Sequence, residues 1–510
     1  MTQRWESATE ELWGLLGGDA SATASVTFTL RPADILPSRL PVATMARAAI
    51  AVCALAAAEL AALRTGGPLP AVEVDDGAVA AAFTSERLLR VDGAAPIGFA
   101  PHSGFWPAAD GWVRTHANYP HHRDRLLTAL GLPAGTDPDG LATALRGLPA
   151  AAVQERAYAA GALAVAVRDA AASEATDRGP LLETGRLPGP PAAPRVFGPL
   201  PAGVLLPAHG VRVLDLTRTI AGPIATRTLA LLGADVLRVD HPALPDEAAH
   251  LDSGFGKRST RLDLDSPPDR AVFDDLLATA DVLVTGYRPG ALDRFGLTAD
   301  HLARRHPGLV IGRLSAWGRH GRWADRRGFD SLVQAATGIA VTESRSPGRP
   351  GALPCQGLDH ATGYLLAAAV LRALTARSTA GGTRTASLSL AATARWLTED
   401  LVERREGGTG AGTGAGAETG AGEVADGATV DGDVVGAAAG GDVAGGSVFD
   451  PAPWLTEVDA AAGRMTYAVP AVRFAGGPVN WATPPGRWGA DAPVWLPRDA
   501  PGDTPARPLA

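Results

Sequence analysis

Between residues 210 and 400, short apolar runs alternate with longer segments whose apolar positions recur at helical spacing. That alternation predicts βαβ units and a parallel sheet. The plainest unit is "GVRVLDLTRTIAGPIATRTLALLGADVLRVDHP". It predicts a strand over 211–216, a loop, a helix ending near Gly233, and a second strand over 236–240. In open parallel sheets ligands bind beyond the carboxyl ends of the strands. Here those ends are the loop 217–223 and the stretch after Val239.

A different rhythm marks "PCQGLDHATGYLLAAAVLRAL", residues 354–374, where a nearly unbroken apolar run follows Asp359 and predicts a buried helix. A carboxylate at the mouth of such a helix has two readings. It is an N-cap with about 1 kcal/mol of helix stability at stake, or a reactive group held by a rigid element. A second alanine-dominated run, "ATMARAAIAVCALAAAELAAL", is the nearest approach to a membrane span, but Arg47 and Glu59 interrupt it. A buried helix of a soluble protein is the better expectation. The two runs suggest an internal repeat. Residues 40–83 and 358–397 both show Ala-Thr, a long helix, a Gly-Gly turn, a short strand and a second helix. In that alignment Pro41 takes the place of Asp359.

Residues 1–200 carry two Ala-rich helical stretches around a predicted hairpin, "FWPAADGWVRTHANYP", and end in the linker "LPGPPAAPRVFGPLPAG". Residues 201–400 form the α/β region. Residues 401–447 are Gly-rich and acidic, and predict a disordered loop. Residues 448–510 are a Trp- and Pro-rich tail with the strand-like run "MTYAVPAVRFAG", expected to pack back on the core.

The net charge of −8 over 510 residues argues against nucleic acid or an anionic membrane as partner. Lys257 is the only lysine. The two cysteines, Cys53 and Cys355, form no disulfide framework and suit a reducing compartment. Cys355 lies close enough to Asp359 to be weighed as a nucleophile, but nothing adjacent would activate it. The charged N-terminus has no signal-peptide core, so a cytoplasmic protein is expected. The loop "TRTIAGPIA" lacks G-x-G-x-x-G and carries Pro223 at the turn, which disfavours a nicotinamide cofactor. Asp240 closes its strand either as a turn residue or as a ligand contact. Arginines crowd the predicted loops (Arg258, Arg288, Arg294, Arg319, Arg322, Arg326 and Arg327), which fits a phosphorylated ligand. His116, His121 and His122 match no zinc spacing, and no metal is expected.

Five segments in order resemble the signature stretches of the class III CoA-transferases: "GVRVLDLTRTIAGPIATRTLALLGADVLRVDHP", "GKRSTRLDL", "DVLVTGYRPGALDRFGL", "RRGFDSLVQAATG" and "LDHATGYLLAAAVLRAL". This superfamily includes formyl-CoA transferase, carnitine CoA-transferase and α-methylacyl-CoA racemase. "ADGWVRTHANYPHHRDRLLTALGLP" resembles a family segment that normally follows the catalytic region, whereas here it precedes it. The chain therefore looks permuted or partly duplicated.

The resemblance implies an α/β fold, with a Rossmann-like CoA-binding domain and a smaller α+β second domain. It implies an acyl-CoA and a carboxylic acid as substrates, coenzyme A entering as acyl-CoA, and no permanently bound cofactor. Asp359 falls on the family's nucleophile. An ordinary aspartate is ionised at neutral pH and needs no base. Gly357 and Gly363 would leave room for a thioester. The implied CoA contacts are Thr217, Arg218, Thr219, Ile220, Ala221, His241, Gly286, Tyr287, Arg294, Arg327 and Leu358. Gly286 and His241 depart from the residues common in relatives. Phe329 stands where the racemase branch has a proton-moving histidine, which disfavours racemisation. Intramolecular CoA transfer and a non-catalytic CoA-binding scaffold remain as alternatives. A homodimer or an intrachain pseudo-dimer is expected.

Overall fold

The apolar runs become strands of one sheet because helices cover them on both faces. Val282–Thr285 is buried at every residue, as a central parallel strand should be. The computed structural model describes residues 4–32, 34–95, 98–169, 179–402 and 449–498. Its seven-stranded sheet has the order Arg258–Arg261, Asp235–Asp240, Arg212–Leu216, Val282–Thr285, Val310–Ser315, Arg384–Ser389, Leu182–Arg186. All are parallel except Leu182–Arg186, which closes the edge antiparallel. After laying down the edge strand Leu182–Arg186, the chain starts the parallel part of this sheet in the middle, at Arg212–Leu216, winds outward to one edge, and returns to build the other half from Val282–Thr285. The loops leaving these two adjacent strands diverge and leave a crevice between them. The Gly-rich stretch read as a disordered loop lies outside the described residues, apart from its first two.

Behind the sheet lie two 24-residue helices, Val42–Thr65 and Gly357–Ala380, packed against each other. Both are hydrophobic all round, which is the signature of a helix buried on every side. Val42–Thr65 is apolar and long enough to cross a membrane by composition, yet it is buried inside the protein. Two of its three charges are neutralised by ion pairs, and the third, Arg64 in the last turn, donates to backbone carbonyls. Arg47 Nε donates to Asp76 Oδ1 at 2.6 Å, and Glu59 pairs with Arg372 of the other long helix.

The two segments share an order of elements. Strand Val26–Thr29, helix Val42–Thr65, strand Val72–Asp75 and helix Asp76–Phe83 follow one another as do Val310–Ser315, Gly357–Ala380, Arg384–Ser389 and Leu390–Arg395. Each pair of strands is parallel. The second helices start alike, Asp75 accepting the N–H of Ala78 and Ser389 that of Ala392. The long helices also start alike, at Pro41 (φ −77°, ψ 52°) and Gln356 (φ −74°, ψ 61°), and both end at a glycine with positive φ. This register corrects the sequence alignment. Pro41 corresponds to Gln356, and Thr44 stands where the second copy has Asp359.

Residues 1–200 are not one body. The N-terminal 90 or so share the large core with the main sheet, whereas residues 105–166 build a small domain with its own core around Trp106, Val113, Leu126 and Val153. Its three-stranded antiparallel sheet, Phe105–Ala108, Gly111–Thr115 and Ala164–Ala166, lies against the helix Asp330–Ala336. The tail ties both copies together. Arg473–Phe474 pairs with Val72–Asp75, while the indole N–H groups of Trp481, Trp488 and Trp495 donate to Arg227 O, Asp240 Oδ2 and Leu276 O.

Candidate active site

Asp359 is the third residue of the Gly357–Ala380 helix and is 7% exposed. It is not the cap of that helix, because the capping position is Gln356 and carries no side-chain bond. The helix start is held from outside. Asp330, itself 1% exposed at the head of Asp330–Ala336, accepts the N–H of Asp359 at 2.9 Å and also that of Leu358. Gln334, one turn on, donates to Asp330 and accepts the N–H of Leu353. Leu358 is fully buried and meets the site through its backbone. The Asp359 carboxylate takes the N–H of Ala221, the first residue of the helix Ala221–Leu231. It therefore faces the positive end of that helix.

Gly363 brings these two helices together. A Cβ there would stand 2.6 Å from Ala221 O and 2.8 Å from Ile224 Cβ. Its function is close helix approach, not room for a thioester as expected. Gly363→Ala should push the head of Ala221–Leu231 away from Asp359, costing about 1–3 kcal/mol in denaturant unfolding and lowering activity in the fraction that still folds.

Burial pushes the Asp359 carboxylate well above the usual range, and the charges of Asp330 and Glu86 add to it against the opposing N–H of Ala221. Asp330 is raised to about 6 by burial, partly offset by the N–H groups it accepts. These surroundings oppose ionisation of Asp359, where the sequence suggested an ordinary carboxylate. Each carboxylate makes ionisation of the other less favourable. Glu86 comes from the N-terminal copy. Its Oε2 lies 3.0 Å from Nε2 of the fully buried His360, whose ring stacks on Phe83 at 5.3 Å.

The crevice loop is held by a buried network. Asp215 accepts the N–H and hydroxyl of Thr217 at 3.0 and 2.5 Å, the Thr226 hydroxyl at 2.6 Å and Lys257 Nζ at 3.1 Å. The Thr217 side chain is therefore committed to the fold, not to a ligand. Thr219 has φ +70°, a strained conformation for a residue with a Cβ. Ile220 precedes the helix, and Gly286 donates its N–H to Leu216 O, so the two loops touch at the crevice. Tyr287 is half-buried, and its hydroxyl is pushed up to about 12 by burial. Arg218 lies over the Tyr119 ring at 5.1 Å, and Tyr119 donates to Asp246 at 2.8 Å. Arg327 lies in the field of Arg288 and Arg125, a like-charged cluster suited to an anion.

Two predicted contacts stay outside this grouping. Arg294 is on the surface, paired with Asp265 at 2.7 Å, and His241 Nε2 lies 3.4 Å from Asp263. Asp240 is spent on Arg238 at 2.7 Å and on Trp488. Burial pushes the Cys355 thiol well up, so it is an inert core residue. A cavity of about 310 Å³ opens beside Tyr287, Arg288, Arg313 and Ser389, but it does not reach Asp359.

The histidines of the small domain reach the site. His116 stacks flat on Phe329 at 3.8 Å, and burial pushes it well below the ordinary imidazole range. His122 is pushed down to about 3, again mainly by burial. Among the described residues no cluster of three His, Cys, Asp or Glu side chains could hold a metal. Sequence reasoning did not nominate Asp330, Glu86 or His360. An acid opening an apolar helix was a visible signal for Asp330, whereas nothing local marked Glu86.

Comparison with known proteins concentrates on the same region. Residues 209–439 match the model of CoA-transferase family III. Acetyl-coenzyme A transferase nodX of Hypoxylon pulicicidum is 36% identical over 208 residues, 39% of this chain and 35% of that protein. The probable fatty acyl-CoA transferase Rv3272 of Mycobacterium tuberculosis is 36% identical over 191 residues, covering 34% and 48%. The succinyl-CoA–L-malate CoA-transferase beta subunit of Chloroflexus aurantiacus is 35% identical over 190 residues, covering 34% and 47%. The chain thus spans less than half the length of each of these relatives. Residues 209–439, which hold the crevice, Asp330 and Asp359, are thus the part of the chain that is similar to CoA-transferase family III.

Proposed function

We propose that the protein is an acyl-CoA:carboxylate CoA-transferase with Asp359 as nucleophile. The observation that carries this reading is a buried carboxylate aimed at the N-terminal end of Ala221–Leu231, within a segment matching CoA-transferase family III. We read the parallel sheet as Rossmann-like and its crevice as the CoA site, with Arg218, Tyr287 and Arg327 at the rim.

An Asp359 oxygen attacks the thioester carbonyl, the C–S bond breaks, and CoA thiolate leaves a mixed anhydride. The thiolate attacks the aspartyl carbonyl, the anhydride C–O bond breaks, and the first carboxylate departs. A second carboxylate then attacks the aspartyl-CoA thioester, and the steps reverse to give the new acyl-CoA. Ala221 N–H is placed to steady charge on the aspartyl oxygen. The small domain takes over the mouth of the site from the N-terminal side, so one chain with two repeat copies supplies one site. We read it as an intrachain pseudo-dimer working in a reducing, cytoplasmic compartment.

The test is intact mass after brief mixing with an acyl-CoA panel, with borohydride reduction of the thioester. A CoA-sized adduct or its reduced product is expected on the Asp359 peptide of the wild type and not of Asp359→Asn. Tight CoA binding without any adduct would move the reading to isomerisation by proton shift, with α-proton exchange in deuterated water as the next assay.

A further inference from the structure

Among the described residues only Asp92 and Thr219 take a positive φ without being glycine, at 49° and 70°. Aspartate tolerates that conformation, whereas a β-branched threonine is an outlier in it. Such strain persists only where the surroundings over-determine it. Thr219 lies two residues before Ala221, whose N–H meets the Asp359 carboxylate. Gly363, one turn beyond Asp359, touches the same residue, since a Cβ there would stand 2.6 Å from Ala221 O. The strained residue therefore sets the direction in which the chain enters the helix that faces Asp359.

The chain on both sides of Thr219 is pinned. Thr217 is spent on Asp215. Arg218 donates to Pro245 O at 3.2 Å and lies 3.6 Å from Asp246 Oδ1. Asp246 is itself anchored to Arg238 at 2.7 Å. Beyond Thr219, Ile220 O accepts the N–H of Ile224 at 2.8 Å as the helix begins. Over this corner sits Tyr119 of the small domain, just ahead of the helix Pro120–Ala129. Its hydroxyl lies 2.8 Å from Asp246 Oδ1 and 3.4 Å from Thr219 Oγ1, and Arg218 covers its ring at 5.1 Å. Burial and the charge of Asp246 push the phenol well up, so it keeps its proton. A phenol has one proton to give. Tyr119 donates it to Asp246 and accepts from the Thr219 hydroxyl. One hydroxyl thus ties the strained residue to the acid that holds Arg218.

We infer that Tyr119 is a positioning residue, whose hydroxyl clamps Thr219 in the left-handed conformation that aims the Ala221 N–H at Asp359. This rests on the transferase reading for what that N–H does in turnover, but not for the clamp itself. Without the hydroxyl, Thr219 returns to an ordinary negative φ and the backbone ahead of Ala221 turns. Asp359 then loses the N–H that opposes burial and the charges of Asp330 and Glu86. The rings of His121 and His122 lie 5.6 and 5.5 Å from that of Tyr119. Burial pushes both below the ordinary imidazole range, so they add no charge to the clamp at neutral pH. The small domain in this way acts on the chemistry through the loop it holds, without touching the reacting atoms.

The experiment is a double-mutant cycle of Tyr119→Phe and Thr219→Gly in the full-length protein. Tyr119→Phe should lower the rate at which acetyl-, succinyl- or octanoyl-CoA labels Asp359 by ~10- to 100-fold. The acid midpoint of that rate should move up by about half a pH unit or more, because a lost N–H favours the protonated carboxyl group. Glycine takes a positive φ without strain. With Thr219→Gly present, removing the hydroxyl should therefore cost less than ~3-fold and leave the midpoint in place. A tyrosine that merely docks the small domain would cost the same in either background. An equal loss with and without Thr219→Gly, or no loss at all, would overturn the proposal. A readout free of turnover is the stability gained on Asp359→Asn, followed by calorimetry across pH. The pH at which that gain levels off should rise with Tyr119→Phe and return with Thr219→Gly. If this pattern holds while no Asp359 adduct ever forms, the transferase reading fails and the clamp stands. An adduct without the pattern has the opposite meaning.

Discussion

Asp359→Asn is expected to stop CoA transfer and, at the same time, to make the protein more stable at neutral pH. Loss of the nucleophile should lower turnover by ~10³-fold or more, since no other described group is placed to form the covalent intermediate. The stability gain follows from burial. Burial together with Asp330 and Glu86 holds the folded-state pKa of Asp359 well above its unfolded value. A carboxylate with a raised folded pKa binds its proton more tightly in the native state, so it withdraws stability as pH rises from about 4 through the folded pKa. Asparagine has no proton to lose and can still accept the N–H of Ala221. The mutant's Tm should therefore exceed that of the wild type at pH 7 by about 2–4 °C, with the difference vanishing near pH 4. Scanning calorimetry across that range measures it. A mutant less stable than wild type at pH 7 would mean that the carboxylate is not strained by its surroundings.

The second large effect concerns the positioning residue Asp330. Attack requires Asp359 without its proton, so kcat/KM should fall on the acid side of a midpoint set by the carboxylate pair. Because both members are raised, with Asp330 at about 6, that midpoint should lie at or above 6 instead of near the ordinary carboxylate value. Asp330→Asn removes the closest like charge and should move the midpoint down by about one pH unit or more. The same change leaves one oxygen to accept two helix N–H groups. It should lower kcat ~10- to 100-fold at the new optimum by loosening the helix start. A Glu86→Gln variant should move the midpoint in the same direction by less, because Glu86 is also engaged by His360. An acid limb near pH 4 in the wild type, unmoved by Asp330→Asn, would show that the two carboxylates titrate independently.

The dependence on Glu86 gives the N-terminal copy a part in the chemistry. That copy has Thr44 where the second has Asp359, so it cannot supply a nucleophile. It supplies instead the wall behind the catalytic helix, through the packed Val42–Thr65 helix and the Glu86–His360 contact. The separate small domain brings His116 against Phe329 and Tyr119 against Arg218.

Much of this was legible in the chain itself, because periodicity and local chemistry act over one element at a time. The βαβ unit from Arg212 to Asp240, the two buried Ala-rich helices and the position of Asp359 at a helix mouth all follow from residues close in sequence. What lay beyond the sequence depends on contacts between distant residues. Asp330 reaches Asp359 across 29 residues, and Glu86 reaches His360 across 274. The sequence therefore determined that a carboxylate opens a buried helix in an α/β protein. Only the tertiary structure decided that the carboxylate is desolvated beside a second one, which raises its pKa, because burial and Coulomb energy depend on distances through space.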